Sequence, residues 1–195
     1  MYKGLSNLLI TAATVTAMTL GSVGPTHATT VNVTDGSWWS FDVDDFAAQS
    51  GGTEWIDAQS NLPRGYLNDG SALTLHFTTT SAKLLKVVDG GLSGDQFQVF
   101  DNGVGLGLTT AATAGASVSG VNQFDTAYND PRFSKGLFVL AAGTHNITGL
   151  LNSTTQSFNA TVGALQVAEV PVPAAVWLLG SGIVSLVGFA RRKHS

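Results

Sequence analysis

The sequence predicts an all-β protein, an antiparallel β-sandwich of jelly-roll type, with an N-terminal signal helix and a single C-terminal transmembrane helix. Three observations predict it. Short runs of alternating apolar and polar residues fill the middle of the chain, separated by Gly, Asn, Asp and Ser. An uncharged stretch follows Lys3 near the start. A second uncharged stretch runs into Arg191, Arg192 and Lys193 at the end. Composition agrees with this reading. Of 195 residues, 44% are hydrophobic, 23 are Gly and only 11% are charged, against about 25% charged in an ordinary soluble domain. Few charges and many glycines argue against a helical bundle or coiled coil. The apolar content is too high for a disordered chain.

The first 28 residues have the three-part layout of a secretory signal peptide: a basic start at Lys3, an apolar stretch, and small residues at Thr26 and Ala28 flanking His27. Cleavage is expected after Ala28. Residues 29–168 then form the exported domain, and 169–195 a separate C-terminal signal.

Within the domain, Ala72 to Thr78 places Leu73, Leu75 and Phe77 on one face, the period of a half-buried strand. Gln96 to Val99 repeats the pattern with Phe97 and Val99. Asp101-Asn102-Gly103 follows, where Asn-Gly suits the positive φ angles of a tight hairpin turn. Gly103, Gly105 and Gly107 then read as a glycine-rich hairpin strand. Further strands are expected at Thr30–Thr34, Ser37–Val43, Leu84–Val88, Gly136–Ala141, His145–Leu150 and Ala160–Val167. About nine short strands at this spacing suggest two packed sheets. Between Phe124 and Lys135 there is room for one helical turn ending before Pro131.

The C-terminus reads Val170-Pro171-Val172-Pro173, then residues 174–190 without a charge, then a basic tail over 191–195. Seventeen residues at about 1.5 Å each span about 26 Å, the short end of a membrane crossing. Pro173 suits a first helical turn and Trp177 an interface. Arg191, Arg192 and Lys193 would stay on the cytoplasmic side, which places the domain outside.

This arrangement resembles the PEP-CTERM sorting signal, and more closely its V-P-L-P-A-type variant. The residues that carry the resemblance are Val170-Pro171-Val172-Pro173-Ala174-Ala175-Val176-Trp177-Leu178-Leu179-Gly180-Ser181-Gly182 and the terminal basic cluster. The resemblance implies a Gram-negative source and recognition by an exosortase-type membrane peptidase. It also implies transient anchoring in the inner membrane through 174–190, then release to the cell surface or a biofilm and exopolysaccharide matrix. A looser resemblance to the same proteins lies in Asp89 through Gly94-Asp95-Gln96-Phe97-Gln98-Val99-Phe100-Asp101-Asn102-Gly103. Asp130-Pro131-Arg132-Phe133-Ser134 and Gly143-Thr144-His145 follow it in order.

Little in the domain reads as chemistry. The absence of cysteine excludes disulfides, thiol nucleophiles and thiolate metal sites. Twelve carboxylates against five bases leave residues 29–168 at −7, which excludes a nucleic-acid footprint. No nucleophile elbow, zinc-protease, P-loop or dinucleotide motif is present. No catalytic residue and no cofactor is expected, calcium aside. His76 and His145 fall on strands and read as outward-facing polar residues. Asp42, Asp44 and Asp45 read as a solvated strand end. Asp89, Asp95, Asp101 and Asn102 cluster around one hairpin. Two readings stand for them: local turn hydrogen bonds, which is preferred, or oxygen ligands for calcium. Trp38 and Trp39, being adjacent on a strand, face opposite ways. One of them is covered or forms a stacking platform.

The leading function is therefore a non-enzymatic, exported surface or matrix protein. A carbohydrate-binding module for a secreted polysaccharide is the alternative, and a hydrolase built from dispersed Asp and His is the third.

Overall fold

The computed structural model describes residues 28–33, 36–44, 53–57, 67, 69–157 and 160–171. In chain order the elements are β1 (Thr29–Asn32), β2 (Trp38–Asp44), β3 (Leu73–Thr79), β4 (Lys83–Gly90), β5 (Asp95–Asp101), β6 (Val104–Leu108), α1 (Gln123–Asn129), β7 (Lys135–Leu140), β8 (Gly143–Thr154) and β9 (Ala160–Glu169). They form a two-sheet sandwich with one short helix. One sheet has the order β1-β3-β8-β5-β6 and the other β2-β9-β4-β7. The expected signal segment up to residue 27, the sorting residues Val172 and Pro173, the span 174–190 and the basic tail lie outside the described residues. Among the described residues no helix is long and apolar enough to cross a membrane.

The period-two pattern places the core where the sequence predicts it. Leu73, Leu75 and Phe77 on β3 and Phe97 and Val99 on β5 are all buried. They face Trp39, Phe41 and Val43 on β2 and Leu85 and Val87 on β4 within one cluster. The β5–β6 hairpin turns on Asn102 (φ 50°) and Gly103 (φ 78°), with Asp101 paired to Val104. Both central residues have positive φ, the turn that matches the twist of the flanking strands.

Two features depart from expectation. The sandwich is not wholly antiparallel, because β1 pairs parallel with β3. The chain leaves β1 to make β2 in the opposite sheet before it returns, the crossover that parallel neighbours need. The helix is also longer than the one expected turn, at seven residues, and still stops before Pro131. Tertiary packing extends it. Phe124 and Ala127, three apart, bury against Val88 and Ala164 on the outer face of the four-stranded sheet. Asp130 then turns to an extended conformation, as a residue before proline does.

An aromatic wedge holds the two sheets together. Trp55 stacks on Phe41 with centroids 3.7 Å apart and planes within 10°. Phe97 meets both rings edge-on, at 5.1 and 6.2 Å. Residues 53–57 deliver Trp55 to this place. Trp55 N–H donates to Gly149 C=O, and Leu73 N–H donates to Trp55 C=O. Ile56 bridges Asp42 on one side and Ala72 on the other. Two glycines make the room. A Cβ at Gly149 would lie 2.1 Å from the Trp55 ring, and one at Gly163 would lie 2.3 Å from the Phe41 ring.

Phe97→Ala is expected to cost about 3–5 kcal/mol, the usual range for a buried ring. Gly149→Ala removes no contact, yet it is expected to destabilise as well, because the indole must move. Urea unfolding of both variants checks this; a neutral Gly149→Ala would show that the wedge is loosely packed.

Candidate functional site

The four candidate ligands do not form one site. Asp95 and Asp101 are the first and last residues of β5. Six residue steps of strand separate them by about 20 Å. Asp89 joins Asp95 at one end of the sandwich, and Asn102 joins Asp101 at the other. The hairpin brings the residues close in sequence, but its strand holds the two pairs apart. Among the described residues, no three of His, Asp and Glu are grouped to hold a metal.

At the Asp101 end the side chains are consumed by one another. His145 is buried (5% exposed), not outward-facing as expected. It shares the inward face of β8 with Ile147, two residues on. Its Nδ1 meets Asp101 Oδ2 at 2.7 Å and its Nε2 meets the Ala141 carbonyl at 3.1 Å. Its ring lies 5.1 Å from that of Phe77. A His–Asp pair is thus present, but the nitrogen that would serve a nucleophile is spent on a backbone carbonyl. Asn102 donates to Thr144 C=O at 2.9 Å and accepts from Asn146 Nδ2 at 2.8 Å. Asn146 Oδ1 in turn meets Nδ1 of His76 at 2.8 Å. His76 is half-buried on the other face, as its place between Leu75 and Phe77 predicts.

The other end is different. Asp89 follows Leu85 and Val87 on the inward face of β4, and Asp95 precedes Phe97 and Val99 on the inward face of β5. Both are buried, at 0% and 1% exposed. Asp89 Oδ2 accepts from the N–H groups of Gly94 and Asp95, at 2.9 and 3.2 Å, which folds the 90–95 loop back over it. Gly94 (φ 147°) allows that return; a Cβ there would strike Thr155 and Gln156. Asp95 Oδ2 accepts from the Thr161 hydroxyl. The second oxygens, Asp89 Oδ1 and Asp95 Oδ1, have no hydrogen-bond partner. Burial pushes the Asp89 carboxyl up to about 8, the Gly94 N–H pulls against that rise, and the charge of Asp95 adds to it.

The remaining motif residues anchor the fold. Asp130 grips Arg132 through a forked pair, 2.6 Å at its shortest, which holds the Asp130 carboxyl down at about 2. Phe133 is buried in the helix cluster. Ser134 Oγ lies 2.6 Å from Thr109 Oγ1. Asp42 is buried rather than solvated, because the segment carrying Ile56 pairs over the end of β2. Trp39 enters the core. Trp38 lies on the opposite face, where α1 covers it. Its Nε1 donates to Asp125 at 2.9 Å, and Phe124 and Tyr128 lie at 6.1 and 5.7 Å. A pocket of about 380 Å³ beside it is lined by Ser37, Trp38, Gln123, Asp125 and Gln166. Sequence reasoning missed this pocket, since it needs α1 seated on β4 beside Trp38.

Because folded Asp89 keeps its proton up to about pH 8 and an unfolded Asp releases it near 3.8, the folded state binds more protons across that window. Stability therefore falls as pH rises from about 4 to 8. Thermal melts in metal-free buffer should show that decline in the wild type and a shallower one in Asp89→Asn.

The chain matches no family model and no curated protein sequence. Among solved structures it is similar to the pre-peptidase C-terminal domain of a collagenase from Bacillus anthracis. The two are 8% identical, and the match covers 74% of this chain and 97% of that one, with a TM-score of 0.35. The two-sheet sandwich rests on the strand pairings described above.

Proposed function

We propose that this chain is an exported, non-enzymatic surface or extracellular-matrix protein, sorted by an exosortase-type membrane peptidase that reads its C-terminal tail. The observation that carries the reading is the junction between domain and tail. β9 stays paired with β4 up to Glu169, whose carboxylate meets Lys83. Val170 and Pro171, the first two residues of the sorting motif, then leave the sheet exposed. A folded domain that ends at the edge of the motif offers that motif to a membrane-bound enzyme without unfolding. At the other boundary, Ala28 is exposed and directly precedes β1, so signal cleavage there would leave every strand intact.

The jelly-roll reading of the domain is supported by strand order. Leaving β1 aside, 2-9-4-7 faces 3-8-5-6, and the chain changes sheet at every step except β5 to β6. That interleaving is what two Greek keys wrapped around one core produce.

The alternative, a module that binds a secreted polysaccharide, is favoured by one observation. The Trp38 pocket combines an indole with planar polar side chains at about 380 Å³, within the ordinary range of small-molecule sites, about 300–1,000 Å³.

Replacing Arg191, Arg192 and Lys193 together by Glu removes the charge that holds the tail on the cytoplasmic side. The expected outcome is loss of the surface-located protein, read by fractionation of membrane, surface and medium. Unchanged surface sorting would contradict the proposal.

A further inference from the structure

Carboxylates close the sandwich at both ends, half-buried at Asp101 and fully buried at Asp89 and Asp95, and among the described residues only Asp101 has a basic side chain against it. Asp101 faces His145. Asp89 adjoins Asp95, accepting from its backbone N–H, and among the described residues neither is ion-paired with Lys, Arg or His. One oxygen of each is buried without a hydrogen-bond partner. Burying two carboxylates without compensation is costly, and proteins resolve it with a partner charge, a proton or a metal.

The room for a metal is present. Asp95 lines a pocket of about 180 Å³ together with Gly90, Gly91, Gln156 and Thr161. Gln156 spends its amide N–H on the Ser93 carbonyl, at 2.8 Å, which leaves its Oε1 as an acceptor. Thr161 spends its O–H on Asp95 Oδ2, which leaves the lone pairs of its oxygen. The pocket therefore offers one carboxylate, an amide oxygen and a hydroxyl, and Asp89, which accepts from the Asp95 N–H, stands next to it with a second carboxylate. An all-oxygen set of this kind selects a hard cation over zinc, copper or iron.

We propose that Asp89 and Asp95 bind a hard divalent cation, calcium or magnesium, at the β4–β5 end of the sandwich. Asp89 belongs to the four-stranded sheet and Asp95 to the five-stranded one. The ion therefore ties the two sheets together in a chain that has no cysteine to do so. Asp101 and Asn102 take no part, being at the far end of β5. An irregular set completed by water suits calcium, which accepts six to eight oxygens, better than magnesium with its strict octahedron.

The test is thermal unfolding of the full-length protein in mild detergent at pH 7.5, in calcium, in magnesium and in chelator at matched ionic strength. At a hundredfold excess over Kd, an ion bound only by the folded state should raise Tm by about 5 °C or more. Asp89→Asn and Asp95→Asn keep the shape and remove a carboxylate that the ion needs, and each should abolish the shift. Should either variant fail to fold, calorimetric titration of the wild type reads the same site. It should give about one ion per chain, with affinity several-fold weaker in Thr161→Val. Equal melting points in calcium, magnesium and chelator would overturn the proposal. So would a shift of undiminished size in both Asn variants, because the ion would then bind elsewhere.

Discussion

The stack of Trp55 on Phe41, with Phe97 against both edges, is the contact on which the rest of the structure depends. It joins three pieces that are far apart in sequence: the edge strand of one sheet, an inner strand of the other, and a segment that belongs to neither. Large rings give the most apolar burial per residue, and the edge-on contacts of Phe97 have the geometry that aromatic pairs prefer. The wedge works only because Gly149 and Gly163 leave the ring faces uncovered by a side chain. Residues 53–57 then bridge from β2 to the start of β3, so the two sheets are fastened along one side as well as through the core.

With the middle fixed by aromatic packing, the polar motif residues act at the ends. They are held by hydrogen bonds within the protein, Asp101 across the sheet to His145 and Asp130 locally to Arg132. Asp101 and Asn102 hold the hairpin against β8. Asp130 and Ser134 fasten the passage from α1 into β7. Asp89 organises the loop into β5. Most of what looks like a surface motif in the sequence is the set of fastenings that keep the rims of a sandwich closed. Asp89 and Asp95 differ from Asp101 in being fully buried with, among the described residues, no basic side chain against them.

Much of the fold was legible because alternation is a local signal. Leu73, Leu75, Phe77, Phe97 and Val99 announce their face within seven residues, and Asn102-Gly103 announces its turn within two. What was not legible depends on where a strand's face is counted from, or on what lies across the sheet. His145 faces inward by its parity with Ile147, which its immediate neighbours do not reveal. Its partner Asp101 lies 44 residues away. The parallel pairing of β1 and the second turn of α1 depend on non-local packing. Asp89, Asp95, Asp101 and Asn102 looked like one cluster because sequence distance hides the length of an extended strand.

The central claim is that a folded sandwich is carried between two removable addresses. It is tested most directly by intact-mass analysis of the protein recovered from the cell surface and from the medium. The account predicts a chain that begins at Thr29 and has lost the span 174–190 and the basic tail, with any covalent addition at the new C-terminus read from the same mass. A surface-located chain that still carries Met1 or Ser195 would contradict it.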